Sequence, residues 1–560
     1  MASVGVDNGH AAIRNLPKEI VRPVNPFTPS MWGDFFISYT FDKQEWEMLG
    51  EKVEQLKEEV QKMLKFSEES KIKEKMVLID TLEHLGVSYH FGKETEEHLE
   101  QMFNLISKSG YNNSDDDLSS VSLYFRLFRQ HGYKIPCSVF EKFKDQNNRF
   151  KETLKEDVEG LLNLYEASHL RTHGEDILEE AMVFTSTHLK MMEPQMGSLL
   201  QEKIKKALEL PWHKRLMRLE APYYISMYEK EESKNDLLVK FSKLDYNYVQ
   251  MLHKKELSEL SRWWKDLDLL SKYPYARDRV VECHFWGLAN YFEPQYSVGR
   301  IFICKVLSLL SIVDDTYDSY GILEELEIFT QAIQRWDITE MPKLPDYMKR
   351  CYQVILDEYS NFDELLSKEG RSYAAHHTRE RFKQMVRSYG SEARWFFGEQ
   401  MPTFTEYLSN GLYTSSYCLM SASAFMGMKS ATKEIYDWHW ANPKILTAAC
   451  SMGRLRNDVA SCERENKREH DILAIECYTK EHGVSKQEAL DKFLEISENA
   501  WRDVNEELLR TDIPRELLVR ILNIARVTDS SYLNNIDGYT SPEQSMKRQM
   551  FITVVDPLII

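Results

Sequence analysis

Glycine and proline are scarce, with 22 and 17 in a chain of 560 residues. Alternating β-branched runs are nearly absent, so the pattern gives a sheet-based fold no support. No window approaches about 18 consecutive apolar residues, which speaks against a transmembrane helix. The nearest stretch, 412–428, carries Thr414, Ser415, Ser416, Ser421 and Ser423 and reads as a polar-lined buried helix. The N-terminus has no apolar secretory run, and Asp7 and Glu19 interrupt any transit-peptide pattern. The eight cysteines are scattered without a CxxC pair. They suggest neither a zinc site nor a disulfide framework and read as reduced thiols of a cytoplasmic protein. A basic balance is missing too. The formal net charge of −18 argues against a nucleic-acid partner. A small phosphorylated substrate needs only local arginine, lysine or bound metal and stays open.

What is present is helical spacing. Phe241, Leu244, Tyr248 and Leu252, then Leu257, Leu260 and Trp264, recur at helical intervals, as do Phe302, Val306, Leu309 and Val313. Gly110, Gly132, Gly174 and Gly483 follow periodic segments, as helix ends require. Residues 1–21 read as a flexible arm. Residues 22–235 form one helical array and 236–560 a second. The charged stretch from Glu229 to Asp236 reads as the solvated connection between them.

The sharpest feature lies in the second array. The apolar run from Val306 to Val313 ends in Asp314, Asp315 and Asp318. On a helix Asp314 and Asp318 share one face. Carboxylates crowded at the end of a greasy helix repel one another unless a cation lies between them, and hard oxygen ligands suit magnesium. A solvated acidic helix end is the competing explanation. About 140 residues on, Asn457, Ser461 and Glu465 are spaced by four and four, one stripe of oxygen donors. Alone, that stripe also fits a surface helix with charge pairs. Beside the first motif it completes a multi-metal clamp. Arg277 and Arg279 flank Asp278 after Pro274 and could grip phosphate oxygens bidentately; in isolation a solvated charged turn explains them better.

Together these residues resemble the plant class I terpene synthases, specifically the cytosolic sesquiterpene synthases. Asp314, Asp315 and Asp318 match that family's DDxxD motif, and Asn457, Ser461 and Glu465 its NSE/DTE motif. Arg277 and Arg279 match its RxR. Arg22-Pro23 before Trp32 resembles its N-terminal arginine–tryptophan strip. Leu244-Asp245-Tyr246-Asn247 with Arg262-Trp263-Trp264 resembles a further shared stretch. The resemblance runs from Arg22 through nearly the whole chain.

It implies an all-α protein, with an N-terminal α-barrel-like domain and a C-terminal class I terpenoid synthase bundle. It also implies a monomer and three Mg2+ ions per site, with Mn2+ as a substitute. Asp314 and Asp318 would hold two ions, and Asn457, Ser461 and Glu465 the third. Arg277 and Arg454 would bind diphosphate with Arg279 nearby, Asp314, Asp318 and Asn457 meeting it through metal. The implied reaction is ionisation of farnesyl diphosphate and cyclisation of the cation, which aromatic faces stabilise. Trp286, Tyr532 and Tyr539 are the candidate wall, though each ring also fits ordinary core packing. Tyr532 and Asp537 would handle the proton. The stretch from Tyr413 to Tyr417 resembles the family's kinked pocket helix. Residues 466–471 are more charged than the family's usual glycine-containing loop. A chain-elongating prenyl synthase is the competing enzyme; it would carry a second aspartate-rich motif in place of Asn457, Ser461 and Glu465.

Overall fold

The computed structural model of the protein describes residues 22, 27–65, 72–109, 117–195, 197–398, 401–465, 473–510 and 512–560, without the side chains of 109, 195, 198, 463–465 and 473. Helix dominates these residues and no strand occurs among them. Polar side chains start the helices where the sequence supplies them. Asp42 accepts from the N–H groups of Gln44 and Glu45 to start Lys43–Leu64. Asp117 caps Leu118–Gln130, and Asn235 caps the 32-residue helix Asp236–Leu267. Each satisfies donors that a first turn cannot pair internally. Gly132 and Gly483 lie just past helix ends at φ +86° and +66°, the left-handed conformation favoured there. Gly174 lies instead in the loop before Asp176–Met192, and Gly110 falls outside the described residues.

The apolar faces gather into two main cores. One unites the N-terminal helices through Val53, Phe91, Phe125, Phe140 and Leu178. The other runs from Leu257 to Val554 and also takes in Trp32, Phe36 and Leu216. Helix Asp236–Leu267 serves both, giving Phe241 and Leu244 to the first and Leu260 and Trp264 to the second. Packing therefore crosses the point at which chain order divides. The division into 22–235 and 236–560 stands as a proposal about chain organisation, with Asn235 as its capped junction.

In the second array, helix Val280–Asn290 packs on Ser297–Ser319 and on Arg515–Ser531; Lys444–Glu465 packs on Arg515–Ser531 and on Phe404–Thr414. These helices surround the site. Helix Pro294–Ser319 is long and apolar enough to cross a membrane, but 72% of its most apolar window is buried inside the protein, as for a core helix. Behind it lies a fully buried ion cluster. Glu256 accepts from Arg300 at 2.6 and 2.9 Å and pairs with His284 Nε2 at 2.9 Å, joining three helices.

Candidate active site

Helix Ser297–Ser319 ends at the aspartates. Asp314 is half-buried, Asp318 is exposed, and Asp315 is buried. Arg277 answers the cluster. Its backbone N–H donates to Asp315 Oδ2 at 2.6 Å, and its Nη2 reaches Asp315 Oδ1 at 2.8 Å and Asp314 Oδ2 at 2.5 Å. Burial still holds the Asp315 carboxyl up at about 6, against the pull of Arg277. Asp318 is exposed on one side and crowded by protein on the other. That desolvation, then the charges of Asp314 and Glu392, push its carboxyl well above the usual range.

The second motif has the same internal plan. Arg454 Nη2 donates to buried Asp458 Oδ1 at 2.6 Å and also to Asn457 Oδ1. Tyr407 OH donates to Asp458 Oδ1 at 2.9 Å. Asn457 and Ser461, one turn apart, are half-buried. Glu465 ends its helix, and its side chain falls outside the described residues, as do 466–471. Two glycines permit this packing: a Cβ on Gly411 would lie 2.8 Å from Arg454 Cγ, and one on Gly453 would overlap the Tyr417 ring.

Two connections bring the motifs together. The first is Glu392, on helix Ser372–Phe396, which accepts from Thr414 Oγ1 at 2.7 Å. Burial raises its carboxyl to about 7, with Arg454 opposing and the charges of Asp314 and Asp458 adding to the rise. One side chain thus feels both motifs. The second connection is the segment 532–540. Asn457 Nδ2 donates to Tyr532 OH at 3.1 Å. Asp537 Oδ1 accepts from the N–H groups of Tyr539 and Thr540, both at 3.0 Å. Arg277 Nη1 donates to Thr540 Oγ1 at 3.2 Å. Arg279 is buried, and it donates to the carbonyls of Tyr539 and Thr540 and to Thr28 Oγ1. Its donors hold the 539–540 backbone and Thr28.

The aromatic candidates line the same region. Trp286 is buried with its ring 6.1 Å from that of Tyr417. Tyr417 starts the helix after the break, where Ser416 adopts φ +69° between Phe404–Thr414 and Tyr417–Met426. Tyr539 OH donates to Ser311 Oγ at 2.9 Å, and its ring lies 5.2 Å from the Arg277 guanidinium. On the reaction the sequence resemblance implies, Trp286→Leu is expected to change the product ratio or the rate, because it would remove a π face worth about 0.5–2 kcal/mol to a cation. Gas chromatography of the products reads this; identical spectra and rates would take Trp286 out of the cavity wall.

Sequence reasoning missed Glu392, Tyr389 and Tyr407. Glu392 has no motif around it. Its one signal is a carboxylate three residues after Tyr389 on the buried stripe of Phe382, Met385 and Tyr389. The site's donor set is all oxygen, and burial with crowding beside Asp314 raises the proton affinity of Asp318, Asp315 and Glu392. A divalent cation would relieve that repulsion, so the residues fit such an ion. The surface trio His173, Asp503 and Glu506 differs, since Lys444 already pairs with both of its carboxylates.

Comparison with known proteins agrees with this geometry. Residues 265–503 match the "Terpene synthase family, metal binding domain", and residues 31–208 the "Terpene synthase, N-terminal domain". The chain is 48% identical to a germacrene A synthase of Lavandula pedunculata subsp. lusitanica over 97% of its own length and 99% of that protein. It is also 48% identical to a valerianol synthase of Camellia sinensis, over 94% and 95%. Among solved structures, limonene synthase with 2-fluorolinalyl diphosphate superposes with a TM-score of 0.88 at 31% identity, covering 96% of this chain and 100% of that one. Isoprene synthase from grey poplar, Populus x canescens, in complex with three Mg2+ ions and dimethylallyl-S-thiolodiphosphate, gives 0.85 at 33%, covering 94% and 98%. With both halves matched and the two motifs tied at one site, the chain belongs to the terpene synthase family, as a metal-dependent sesquiterpene synthase that acts on a prenyl diphosphate.

Proposed function

We propose that the chain ionises farnesyl diphosphate with Mg2+ and cyclises the resulting cation, releasing inorganic diphosphate. The observation that carries this reading is the segment 532–540, whose Tyr532 OH accepts from Asn457 and whose Thr540 accepts from Arg277, the partner of Asp314. It ties two oxygen-rich helix ends to one region, which supports a shared site. Asp314 and Asp318 would hold one group of ions, and Asn457, Ser461 and Glu465 the other. Bound magnesium would neutralise the leaving diphosphate. Arg277 and Arg454 add fixed positive charge at the same oxygens, in a setting drier than water. Their present partners, Asp314, Asp315 and Asp458, hold both guanidinium groups in place before substrate arrives.

Ionisation breaks the allylic carbon–oxygen bond heterolytically, and the electron pair leaves with diphosphate. The cation then needs a dry, electron-rich wall, which Trp286 and Tyr417 offer. Tyr532 and Asp537 are the proposed residues for the closing proton transfer, and Tyr539 adds to the wall. Burial keeps the Tyr532 and Tyr539 phenols protonated far above neutral pH, so each serves as a hydrogen-bond donor rather than a free base. Asp537 is the carboxylate of this set, and it also organises the turn that carries Tyr539.

Purified full-length protein incubated with farnesyl diphosphate and Mg2+ tests the proposal. Cyclic C15 volatiles are expected by gas chromatography, with no turnover in EDTA and slower use of geranyl diphosphate. Turnover that ignores EDTA, or a requirement for isopentenyl diphosphate, would remove this reading in favour of another enzyme.

A further inference from the structure

A second cavity, of about 270 Å³, lies between the two helical arrays. Its apolar wall includes Phe285, Leu288 and Phe292. Trp286 lies on another face of the same helix and turns toward Tyr417, so this cavity and the proposed active site share one wall. The polar wall holds three arginines that form no ion pair with any described carboxylate. Arg218 is 4% exposed; its Nη2 donates to Tyr246 O at 3.1 Å, and its Nε finds no partner. Arg526 is 8% exposed and donates to His213 O at 2.8 Å and to Asn523 Oδ1 at 3.1 Å. Arg515 is half-buried and donates to Leu508 O at 3.3 Å.

Acidic residues in the same wall have other partners. Glu83 is paired with His131 at 2.5 Å, Glu293 faces Arg520 at 3.8 Å, and Glu516 accepts from Tyr296 at 3.4 Å. Glu96 is exposed. Burial lowers Arg515 and Arg526 to about 10; repulsion from Arg515 adds to the fall at Arg526, and the charges of Glu83 and, at Arg515, Glu96 oppose it without forming an ion pair. A buried guanidinium without an ion-paired carboxylate is costly, because neutral carbonyls, or the Tyr246 ring over which Arg218 lies at 3.6 Å, replace its water but only part of its charge balance. Two buried and one half-buried around one hollow mark a place suited to an anion, and the facing apolar wall suits a hydrocarbon.

We infer that this cavity binds an organic anion with a short hydrocarbon chain. Its phosphate or carboxylate meets Arg515 and Arg526, and its chain lies on Phe285, Leu288 and Phe292. This site is separate from the one that ionises prenyl diphosphate, and it does not depend on metal.

Isothermal titration of the full-length protein with octyl phosphate, in EDTA, tests the inference. A Kd below about 100 μM is expected, at least about tenfold tighter than inorganic phosphate or octanol measured alone. Octanoate in parallel tells whether phosphate or carboxylate is preferred. Arg515→Gln is expected to weaken octyl phosphate by about tenfold or more, as loss of a charge-assisted hydrogen bond does. Val519→Trp fills the cavity from helix Arg515–Ser531 and should abolish binding. Asp314→Ala should leave the affinity within about twofold, because independent sites do not couple. Hydrogen exchange of the wild-type protein gives a readout that needs no variant, with slower exchange expected in Val280–Asn290 and Arg515–Ser531 on adding octyl phosphate. No binding at about 1 mM, an affinity unchanged in both cavity variants, or loss of binding in Asp314→Ala would each overturn the inference, as would protection confined to the aspartate helices.

Discussion

Asp314→Ala should lower kcat by about three orders of magnitude or more while the helical fold persists. Asp314 is the aspartate that touches both Arg277 and the exposed hollow. Its loss removes a proposed metal ligand and frees Arg277 to lean on Asp315 alone. The missing stabilisation belongs to the leaving group, so the deficit appears in single-turnover rates and not only in substrate affinity. Thermal melting gives an independent reading. In the wild type, Mg2+ at 100 times its Kd should add about 2.7 kcal/mol to stability. In Asp314→Ala that increment shrinks. Without metal the variant should melt close to the wild type, since Asp318 loses a repelling neighbour while Arg277 loses one of its two carboxylates and keeps Asp315. A variant retaining turnover within about tenfold of wild type, or the full Mg2+-dependent rise in Tm, would show that the ions sit elsewhere.

Glu256→Ala carries the largest expected loss of stability, about 3–5 kcal/mol. It strands Arg300, whose side chain has no exposure, without the carboxylate that takes two of its hydrogen bonds. It also frees His284 on the helix of Trp286, so the cavity wall loosens with the fold. Total stabilities of about 5–15 kcal/mol leave little margin for such a loss. The pH dependence has a definite sign. Burial would raise the Glu256 carboxyl, but Arg300 and then His284 outweigh it and hold the group well below the usual carboxylate range. Its contribution is therefore full above the ordinary glutamate value of 4.5 and fades as pH falls below it toward the folded-state value. Glu256→Gln keeps the shape and removes that acid-side slope. Urea midpoints at about pH 7 and pH 3.5, followed by tryptophan fluorescence, should differ less in Glu256→Gln than in wild type. Equal differences would exclude Glu256 as an acid-sensitive support.

The two catalytic motifs were legible in the sequence to unequal degrees. Spacing by four placed Asp314 with Asp318 and Asn457 with Ser461, and the apolar run from Val306 to Val313 told which helix is buried. The break after Thr414 also stood out, and Ser416 takes it up with a left-handed backbone. Roles that depend on distant partners were not legible. By spacing alone Asp315 and Asp458 look like equal members of their motifs; the family resemblance sets them behind the ligands, and the structure names the partner of each, Arg277 and Arg454. Arg277 and Arg279 look like twins, but one meets carboxylates while the other holds backbone carbonyls.

By itself, then, the sequence determined the helical class, the ends at which oxygen donors gather and the family whose motifs they match. Those are local properties, because a periodicity of 3.6 residues decides which side chains share a face before any helix meets another. Tertiary structure alone decided that Glu392 stands between the motifs, that segment 532–540 ties Asn457 to Arg277, and that three arginines surround a second hollow. These depend on contacts between residues tens to hundreds of positions apart. Only the packing of whole helices sets such distances, since nothing in local spacing says where the end of one helix falls against another.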